Sequence, residues 1–339
     1  MYASIFVILQ LTKPVMSTLE DIQSTISEEL DRLHDRIAGS LLSGNELMNS
    51  VIEGYLKSKG KLIRPILVIL TAKLLGQVND RVIASAAAVE MLHNASLIHD
   101  DVVDDSRTRR GRPTINSVWD NHIAVLVGDF FLSSALRQGI STGDIRIVDS
   151  LVSLGKLLSL GEIDQIYSAR YHKLTEEAYF EIIYRKTASL FVSCVEMGAY
   201  SVGVDDERLA TMRRYAELLG LCFQIKDDIF DYYEDECIGK PTGNDLREGK
   251  ITLPLLYALQ MSSDPRRGAM NELSRKDQLS AEDIVSLIEF AKEAGGIDYA
   301  YATMERLHAK ADELMKQFPA NDVTDAFSRI FRFIIDRDR

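Results

Sequence analysis

The stretch Leu97-Ile98-His99-Asp100-Asp101-Val102-Val103-Asp104-Asp105 places four carboxylates in six residues, directly after an apolar run. The next eight residues, 106–113, contain four arginines, a glycine and a proline. If the apolar run 82–98 forms a helix, Asp100 and Asp104 lie one turn apart on one face. Like charges held this close repel each other, so the spacing predicts a divalent cation shared by the carboxylate oxygens.

The same pattern occurs a second time later in the chain. It reads Leu221-Cys222-Phe223-Gln224-Ile225-Lys226-Asp227-Asp228-Ile229-Phe230-Asp231, again an apolar segment followed by Asp-Asp-x-x-Asp. Two such motifs that each end an apolar helix are much rarer than either motif alone. For the two to act together, their helices must face each other across a cleft, as helices do when a bundle builds a metal site in its core.

Composition and charge exclude several classes of function. The 339 residues are 46% hydrophobic and 27% charged, which is ordinary for a globular protein. A net charge of −12 argues against nucleic acid or an anionic membrane as a main partner. Three cysteines without a CxxC pair suit a reducing compartment. The apolar run from Ile5 to Leu11 is too short to span a bilayer, and no other segment approaches that length. We therefore expect a cytoplasmic protein without stable membrane insertion.

Helical periodicity covers the chain from Ser17 onward. Apolar residues recur at helical spacing in segment after segment, and no sustained period-two alternation indicates a sheet. The pattern predicts an all-α, single-domain bundle of about 10 to 13 helices around a central cleft, spanning residues 17–339. Residues 1–16 are predicted to be a disordered N-terminal extension.

The donor chemistry of the two motifs indicates a phosphorylated ligand. Both motifs offer carboxylate oxygens without Cys or His, which selects Mg²⁺ or a similar hard ion such as Mn²⁺. Mg²⁺ prefers to keep waters and to be shared with substrate phosphates. The cationic residues that accompany the motifs are Lys61, Arg64, Arg109, Arg110, Lys186, Lys240 and Lys250. Arg supplies forked hydrogen bonds and Lys a compact charge, so this set suits two separate diphosphates.

These motifs together carry a family resemblance. The sequence resembles the trans-isoprenyl diphosphate synthases, also called polyprenyl synthetases, from Ser17 to the C-terminus. The motifs that occur in the family's order are Gly-Lys-x-x-Arg at 60–64, the first Asp motif with Arg109-Arg110-Gly111, Lys186-Thr187, and Phe223-Gln224-x-x-Asp227-Asp228-x-x-Asp231. The combination is highly specific even though each motif alone is weak.

The resemblance implies a role for each matching residue. A clamp for three Mg²⁺ ions on the allylic diphosphate is implied for Asp100, Asp101, Asp104, Asp227, Asp228 and Asp231. Contacts to the same diphosphate are implied for Arg109, Lys186, Lys240 and Lys250. A pocket for isopentenyl diphosphate is implied for Lys61, Arg64, His93 and Arg110. Polar contacts beside the reacting allylic cation are implied for Thr187 and Gln224.

The function implied by the resemblance is prenyl transfer. A Mg²⁺-dependent trans-prenyltransferase would join isopentenyl diphosphate to an allylic diphosphate such as farnesyl or geranylgeranyl diphosphate, and the family usually forms homodimers. Four alternatives stay open: a short-chain farnesyl or geranylgeranyl diphosphate synthase, a terpene cyclase of similar fold, a subunit of a heteromeric synthase, and a structural metal-binding protein. A cyclase has no need of Lys61, Arg64 and Arg110, and a non-catalytic subunit is expected to lose the aspartates of the second motif.

Product length is predicted from the helix that precedes the first motif. Family members with short products tend to carry an aromatic residue at the positions of Ala95 and Ser96, which are both small here. The same stripe continues through Leu92 without an aromatic, and the helix offers a wall of roughly 27 Å, enough for about five isoprene units. We therefore expect an all-trans product of about C30 to C45, closest to octaprenyl, as would serve a quinone side chain.

Overall fold

Helices make up most of the described chain. The computed structural model describes residues 15–56, 60–109, 111–171, 175–233, 242–276 and 278–337. Its α-helices are α1 Val15–Thr25, α2 Ser27–Leu41, α3 Glu46–Leu56, α4 Ile63–Leu75, α5 Asp80–Val103, α6 Ile115–Val118, α7 Asn121–Ser141, α8 Ile145–Tyr171, α9 Glu176–Ile183, α10 Ser189–Val202, α11 Asp206–Phe230, α12 Asn244–Arg247, α13 Leu253–Gln260, α14 Arg267–Leu273, α15 Ala281–Glu293, α16 Gly296–Met315 and α17 Asp322–Asp336. A π-helix, Tyr184–Ala188, joins α9 to α10, and strands β1 Thr108–Arg109 and β2 Arg112–Pro113 pair antiparallel.

The predicted all-α class is confirmed. The expected number of about 10 to 13 helices was too low, because the described residues contain seventeen α-helices. Short helices account for part of the difference, since α6 and α12 have four residues each and cannot show a periodic apolar pattern. The domain start predicted at Ser17 lies inside α1, which begins at Val15. Residues 1–14 lie outside the described residues, and the single domain that ends at residue 339 stays a prediction.

The two long helices α5 and α11 carry the Asp motifs at their C-terminal ends. Asn79 caps the start of α5 and Asp205 that of α11, each by accepting hydrogen bonds from backbone N–H groups of the first turn. The small residues 84–88 of α5 are all buried, so neighbouring helices approach α5 closely. At the other end, Asp104 and Asp231 occupy the C-cap positions of the two helices. Each motif thus begins in a core helix and ends just outside it.

The central layer of the molecule consists of α4, α5, α10 and α11. Helix α10 contacts each of the other three, and α11 also packs against α16 and α17. Helix α1 packs against α17, so the two ends of the described chain meet. The Asp motifs therefore project from the end of a continuous packed core.

Two glycines allow α8 and α11 to approach the π-helix closely. A Cβ on Gly161 of α8 would lie 2.8 Å from the backbone nitrogen of Lys186, and a Cβ on Gly220 of α11 would lie 2.5 Å from Cα of Ala188. Both distances are too short for a side chain, so these contacts require glycine. Single π-helical turns inside helices are often found at functional sites. This turn carries Lys186 and Thr187, both singled out from the sequence.

Helix α7 departs from one expectation. With 21 residues and a mean hydropathy of 1.3, it is long and apolar enough to cross a membrane, and no other helix in the described ranges meets both criteria. The expectation that no segment approaches this length was therefore wrong. Length and composition are weak evidence here, because a buried core helix passes the same test. Helix α7 packs along α5, where a Cβ on Gly128 would lie 2.3 Å from Nε2 of His99.

Candidate active site

The first Asp motif occupies the last turn of α5. The N–H of Asp104 donates to the carbonyl oxygen of Asp100 at 2.8 Å, so the two residues are one helical turn apart, as predicted. Asp100 is half-buried and Asp104 is exposed. Asp101 is buried and accepts a hydrogen bond from Nε of Arg109 at 2.7 Å. Asp101 therefore holds the β1–β2 hairpin against the helix, while Asp100 and Asp104 share another face of the turn.

The hairpin is fixed to the end of α5 by one further side chain. Nδ2 of Asn116 donates to the carbonyl oxygens of Asp101 and Ser106, each at 3.1 Å. These bonds fix the position of the hairpin that carries Arg109. Two of the predicted diphosphate contacts lie outside the described residues, namely Arg110 and Lys240.

A chain of hydrogen-bonded side chains links the second Asp motif to the π-helix. The hydroxyl of Tyr179 on α9 donates to Oδ2 of Asp228 at 2.6 Å, and Nε2 of Gln224 donates to Oδ1 at 2.8 Å. The hydroxyl of Thr187 donates to Oε1 of Gln224 at 2.6 Å. Because its proton points at Gln224, the Thr187 oxygen presents its lone pairs elsewhere. Asp228 thus orients Gln224, and Gln224 orients Thr187.

The other two aspartates of this motif have different partners. Asp231 accepts hydrogen bonds from two backbone N–H groups at the start of α12, at 2.9 and 3.0 Å. Asp227 accepts one from Nη2 of Arg337, at the end of α17, at 2.5 Å. The same Nη2 donates to the carbonyl oxygen of Phe223 at 3.0 Å, and the guanidinium lies 4.1 Å from the centroid of that ring. A buried C-terminal arginine therefore neutralises the first carboxylate of the second motif.

Lys186 and Lys250 lie within electrostatic reach of the first motif and beside the second. Burial raises the pKa of Asp100 to about 6, and the charge of Lys186 opposes this rise. Burial also raises the pKa of Asp104, and here Lys250 is the main opposing charge. Nζ of Lys186 lies 2.5 Å from Oε2 of Glu162 on α8. The two lysines thus interact with carboxylates from two separate elements, α5 and α8.

A cavity of about 130 Å³ opens beside these groups. Its polar wall includes Gln165, Lys186, Thr187, Gln224, Asp228 and Lys250. Its apolar wall includes Ala169, Ile182, Ile183 and Ile251. Cavities of about this size in protein cores bind a molecule as large as benzene. The cavity therefore suits a small apolar group attached to an anionic end.

Buried carboxyl groups are concentrated at the second motif. Burial raises the pKa of Asp228, although Tyr179 and Gln224 stabilise its charged form. Burial also raises the pKa of Asp245, and repulsion from Asp228 and Asp231 adds to the rise. Keeping all these groups ionised is unfavourable without a counter-ion, so the motif favours a bound cation.

The second basic set lies near Asp227. Burial raises the pKa of Asp227, and nearby positive charges that include Lys61 and Arg64 oppose the rise. Lys61 is exposed at the start of α4, with its Nζ 5.2 Å from the centroid of the Phe333 ring on α17. His93 is buried on α5, with 7% of its surface exposed. Two sets of cations therefore lie in different parts of the site, Lys186 and Lys250 at the cavity and Lys61 and Arg64 near Asp227.

A family model described as polyprenyl synthetase matches residues 45–291, which is more than half of the chain. The chain belongs to the polyprenyl synthetase family. The octaprenyl diphosphate synthase of Escherichia coli is 30% identical to this polyprenyl synthetase over 322 residues, covering 95% of this chain and 99% of the relative. A short chain isoprenyl diphosphate synthase of Methanothermobacter thermautotrophicus is 33% identical over 337 residues, covering 95% of this chain and 100% of that relative.

Solved structures agree with this assignment. A polyprenyl synthase from Caulobacter crescentus CB15, complexed with calcium and isoprenyl diphosphate, is 33% identical and matches with a TM-score of 0.87. The match covers 95% of this chain and 98% of that chain. The predicted family, fold and enzyme class are confirmed: this polyprenyl synthetase is an all-α prenyltransferase. The relatives include both long-chain and short-chain enzymes, so they leave product length open.

The donor set of this polyprenyl synthetase fits Mg²⁺. Both motifs supply carboxylate oxygens, the ligands that hard cations prefer. Among the residues that the structure describes, no three His, Cys, Asp or Glu side chains form a group able to hold a metal ion. Mg²⁺ usually keeps several waters and shares substrate phosphates, so a site without a complete protein cage is expected. The prediction that all six aspartates bind metal stays a prediction.

Several side chains of the site were missed by the sequence analysis: Tyr179, Glu162, Gln165, Asp245 and Arg337. Each lies outside the sequence motifs, and each contacts its partner only because the fold brings separate elements together. One signal was available in α8, where Glu162 and Gln165 share a helix face because they are three residues apart. That spacing alone does not indicate which residues the face contacts.

The predicted path for the growing chain is closed over much of its length. Ala95 and Leu92 are 3% and 2% exposed, and Ser96 is half-buried. Farther down the stripe, the hydroxyls of Ser85 and Ser201 are hydrogen-bonded at 3.0 Å, so this part of α5 packs on α10. The wall of roughly 27 Å predicted along α5 is therefore not available to the product near Ser85. A long product that follows α5 has to displace packed side chains.

Proposed function

We propose that this polyprenyl synthetase condenses isopentenyl diphosphate with an allylic diphosphate, farnesyl or geranylgeranyl diphosphate, in a Mg²⁺-dependent trans-prenyl transfer. The observation that carries the proposal is the position of Lys186 and Lys250 on one small cavity that also has an apolar wall. This arrangement suits a diphosphate with an attached prenyl group. The separate pair of Lys61 and Arg64 supports a second diphosphate near the second motif.

The side chains of the cavity can promote ionisation of the allylic substrate. Lys186 and Lys250 bind the leaving diphosphate and stabilise the negative charge that develops as the C–O bond breaks. The oxygen of Thr187, oriented by Gln224, can face the positive charge left on the allyl group. The double bond of isopentenyl diphosphate then attacks this cation, and the departing diphosphate takes the released proton. The partly apolar wall limits water, which would otherwise capture the cation.

We propose Asp100, Asp104 and Asp227 as the carboxylates that reach Mg²⁺ directly, with Mn²⁺ as a substitute. Asp100 and Asp104 lie one turn apart at the end of α5, and Asp227 is held by Arg337 at a single oxygen. When bound, the ions, three in the family pattern, neutralise the diphosphate and make it a better leaving group. The remaining aspartates of the motifs orient the groups around them.

For the product we propose a chain of about C30 to C45, closest to octaprenyl. Two observations support it: the small side chains of Ala95 and Ser96 before the first motif, and the likeness to the octaprenyl diphosphate synthase of Escherichia coli. A second candidate is a short-chain synthase. It is favoured by the closed lower part of the α5 stripe and by the small volume of the cavity.

We further propose a cytoplasmic homodimer. Helices α7 and α8 pack against each other and expose a row of large apolar side chains, which are Val125, Leu126, Ile140, Ile145, Val152, Leu160, Ile163 and Ile166. Large apolar side chains exposed on two adjacent helices are typical of a protein interface. The overall charge of −12 disfavours contact of this face with an anionic membrane.

The direct test is elongation by the purified protein alone. The protein is incubated with farnesyl diphosphate, labelled isopentenyl diphosphate and Mg²⁺, and the dephosphorylated products are sized by chromatography. Products of about C30 to C45 support the long-chain proposal, and C20 alone supports the short-chain candidate. No elongation would contradict a self-sufficient synthase and indicate a missing partner subunit.

A matched pair of variants tests the assigned carboxylate. Asp100→Asn should abolish elongation, because an amide is a poor ligand for Mg²⁺. Asp105→Asn should keep it, since Asp105 is exposed and its positive φ of 48° is one that Asn also adopts. Equal activity of the two variants would contradict the metal assignment.

A further inference from the structure

We propose that Gln165 of α8 is a positioning residue for the allylic diphosphate. Its neutral amide oxygen holds the ammonium groups of Lys186 and Lys250 side by side without cancelling their charge. The inference rests on the proposed function, since it assumes that these two lysines bind the leaving diphosphate.

The geometry at Gln165 supports a bridge between the two lysines. In the amide orientation that satisfies both ends of the group, the oxygen of Gln165 accepts from Nζ of Lys186 at 3.2 Å and from Nζ of Lys250 at 3.0 Å. The lysines come from separate elements, the π-helix and the segment before α13. Two ammonium groups repel each other, and a shared acceptor stabilises them close together. Gln165 supplies this acceptor from a third element.

Helix α8 is built to place this acceptor. At Gly161 the helix lies against the π-helix with no room for a side chain. One turn onward, Gln165 lies on the same face, because residues four apart on a helix are neighbours. Gln165 is half-buried and lines the cavity rather than the core, so its polar group is directed at the lysines.

The charge balance explains why an amide suits this position. Lys186 already pairs with Glu162, and Lys250 pairs with Glu248. Burial opposes the charge of Lys250, but Glu248 and the acidic residues around it raise its pKa, so it stays protonated. A carboxylate at position 165 would bridge the lysines equally well. It would also leave three negative charges against two positive ones, and the pair would then attract a diphosphate less.

Three variants separate geometry from charge. Gln165→Leu removes the acceptor, and Gln165→Glu keeps an acceptor while adding a negative charge. Gln278→Leu is the matched control, since Gln278 is exposed in the loop between α14 and α15. The binding of inorganic pyrophosphate in the presence of Mg²⁺ is measured by calorimetry, the Michaelis constants for farnesyl and isopentenyl diphosphate by steady-state elongation, and the folded state by thermal melting.

We expect both Gln165 variants to bind pyrophosphate about tenfold more weakly than the wild type and the control. The Michaelis constant for farnesyl diphosphate should rise by a similar factor, while that for isopentenyl diphosphate stays within about twofold. A purely structural role of Gln165 would not raise one Michaelis constant and leave the other nearly unchanged. If Gln165→Leu fails to fold, Gln165→Glu still carries the prediction, because it preserves the bridge and the size of the side chain.

Two results would overturn the inference. One is pyrophosphate binding by Gln165→Leu, or by Gln165→Glu, equal to that of the wild type. The other is an equal loss of apparent affinity for both substrates together with a lower melting temperature, which would show a general structural role. A wild-type protein that binds pyrophosphate with the expected variant dependence but never elongates farnesyl diphosphate would contradict the proposed function and leave the role of Gln165 intact.

Discussion

At the scale of single residues, the partners of a carboxylate decide what it can do. Asp228 looks equivalent to Asp227 in the sequence, yet both of its oxygens accept hydrogen bonds, from Tyr179 and Gln224. Asp227 instead meets Arg337 at one oxygen. Asp228 therefore orients Gln224, whereas we propose that Asp227 exchanges its arginine for Mg²⁺.

Replacing Tyr179 by Phe tests this division of roles. The change removes the donor to Oδ2 of Asp228, leaving that buried oxygen unpaired and Gln224 less well oriented. The cost is about 1 to 3 kcal/mol, so we expect kcat to fall by about tenfold to a hundredfold, with smaller changes in the Michaelis constants. Steady-state elongation measures both. Tyr167→Phe, on the exposed face of α8, serves as the control and should behave as wild type.

Arg337 gives a second prediction at this scale. Arg337→Met removes the cation from Asp227 and keeps an apolar side chain over Phe223. The metal-free protein should lose about 1 to 2 kcal/mol of stability, because a partly buried carboxylate loses its partner. Because the competing cation is gone, the Mg²⁺ concentration needed for half-maximal thermal stabilisation in saturating pyrophosphate should fall severalfold.

Melting curves across a Mg²⁺ titration measure both effects of Arg337→Met. Arg329→Met is the control, since Arg329 lies on the same helix and pairs with Asp21 rather than with the second motif. A higher Mg²⁺ requirement in Arg337→Met would show instead that the arginine cooperates with the ion.

At the scale of elements, the periodic apolar pattern predicted the essential part of the site. It located α5 and α11 and predicted that each ends in an Asp motif with carboxylates one turn apart, which the structure confirms for Asp100 and Asp104. The π-helix at 184–188 could not be predicted, because it interrupts a continuous helical pattern without Gly or Pro. Contacts such as Tyr179 with Asp228 join distant parts of the chain, and no short spacing encodes them.

A prediction for product length follows from the row of residues on α5 that includes Leu92, Ala95 and Ser96. Ala95→Tyr places an aromatic ring on the face that leads away from Asp100, so the chain should stop after fewer additions. With farnesyl diphosphate as the primer, we expect products to shift to about C20, with the first condensation retained. Chromatography of dephosphorylated products measures the shift. Ala95→Ser, which keeps a small side chain, should leave product length unchanged, and unchanged products in Ala95→Tyr would refute this path for the tail.

At the scale of the whole molecule, the buried carboxyls link stability to pH. Burial raises the pKa of Asp100 to about 6 and also raises that of Asp245. In the unfolded chain carboxyls titrate near pH 4, so folding takes up protons above that pH. Burial raises the pKa of Asp245 to about 8, so these groups lower the stability of the metal-free protein as pH rises from about 4 to about 8. The loss levels off above that pH.

Melting temperatures in EDTA between pH 4.5 and 8 test this linkage. Asp245→Asn removes one of the carboxyls with a raised pKa. The melting temperature of this variant relative to that of the wild type should therefore increase as pH rises. Asp336→Asn, an exposed change at the end of α17, should follow the wild type throughout. A constant difference between Asp245→Asn and wild type over the whole range would contradict the assignment of Asp245 as a carboxyl with a raised pKa.

The exposed face of α7 and α8 determines how the molecule assembles. Because these two helices expose large apolar side chains, a second copy of the chain is the partner that we expect to bury this face. Ile163, 60% exposed on α8, lies within this face, and Val285, 51% exposed on α15, lies outside it.

We expect the wild type to sediment as a dimer. Ile163→Lys should raise the dissociation constant of the dimer at least tenfold and so shift the protein toward monomer. Val285→Lys adds the same charge and should stay dimeric. Analytical ultracentrifugation over a range of concentrations measures all three, and a dimer of unchanged affinity in Ile163→Lys would place the interface on another face.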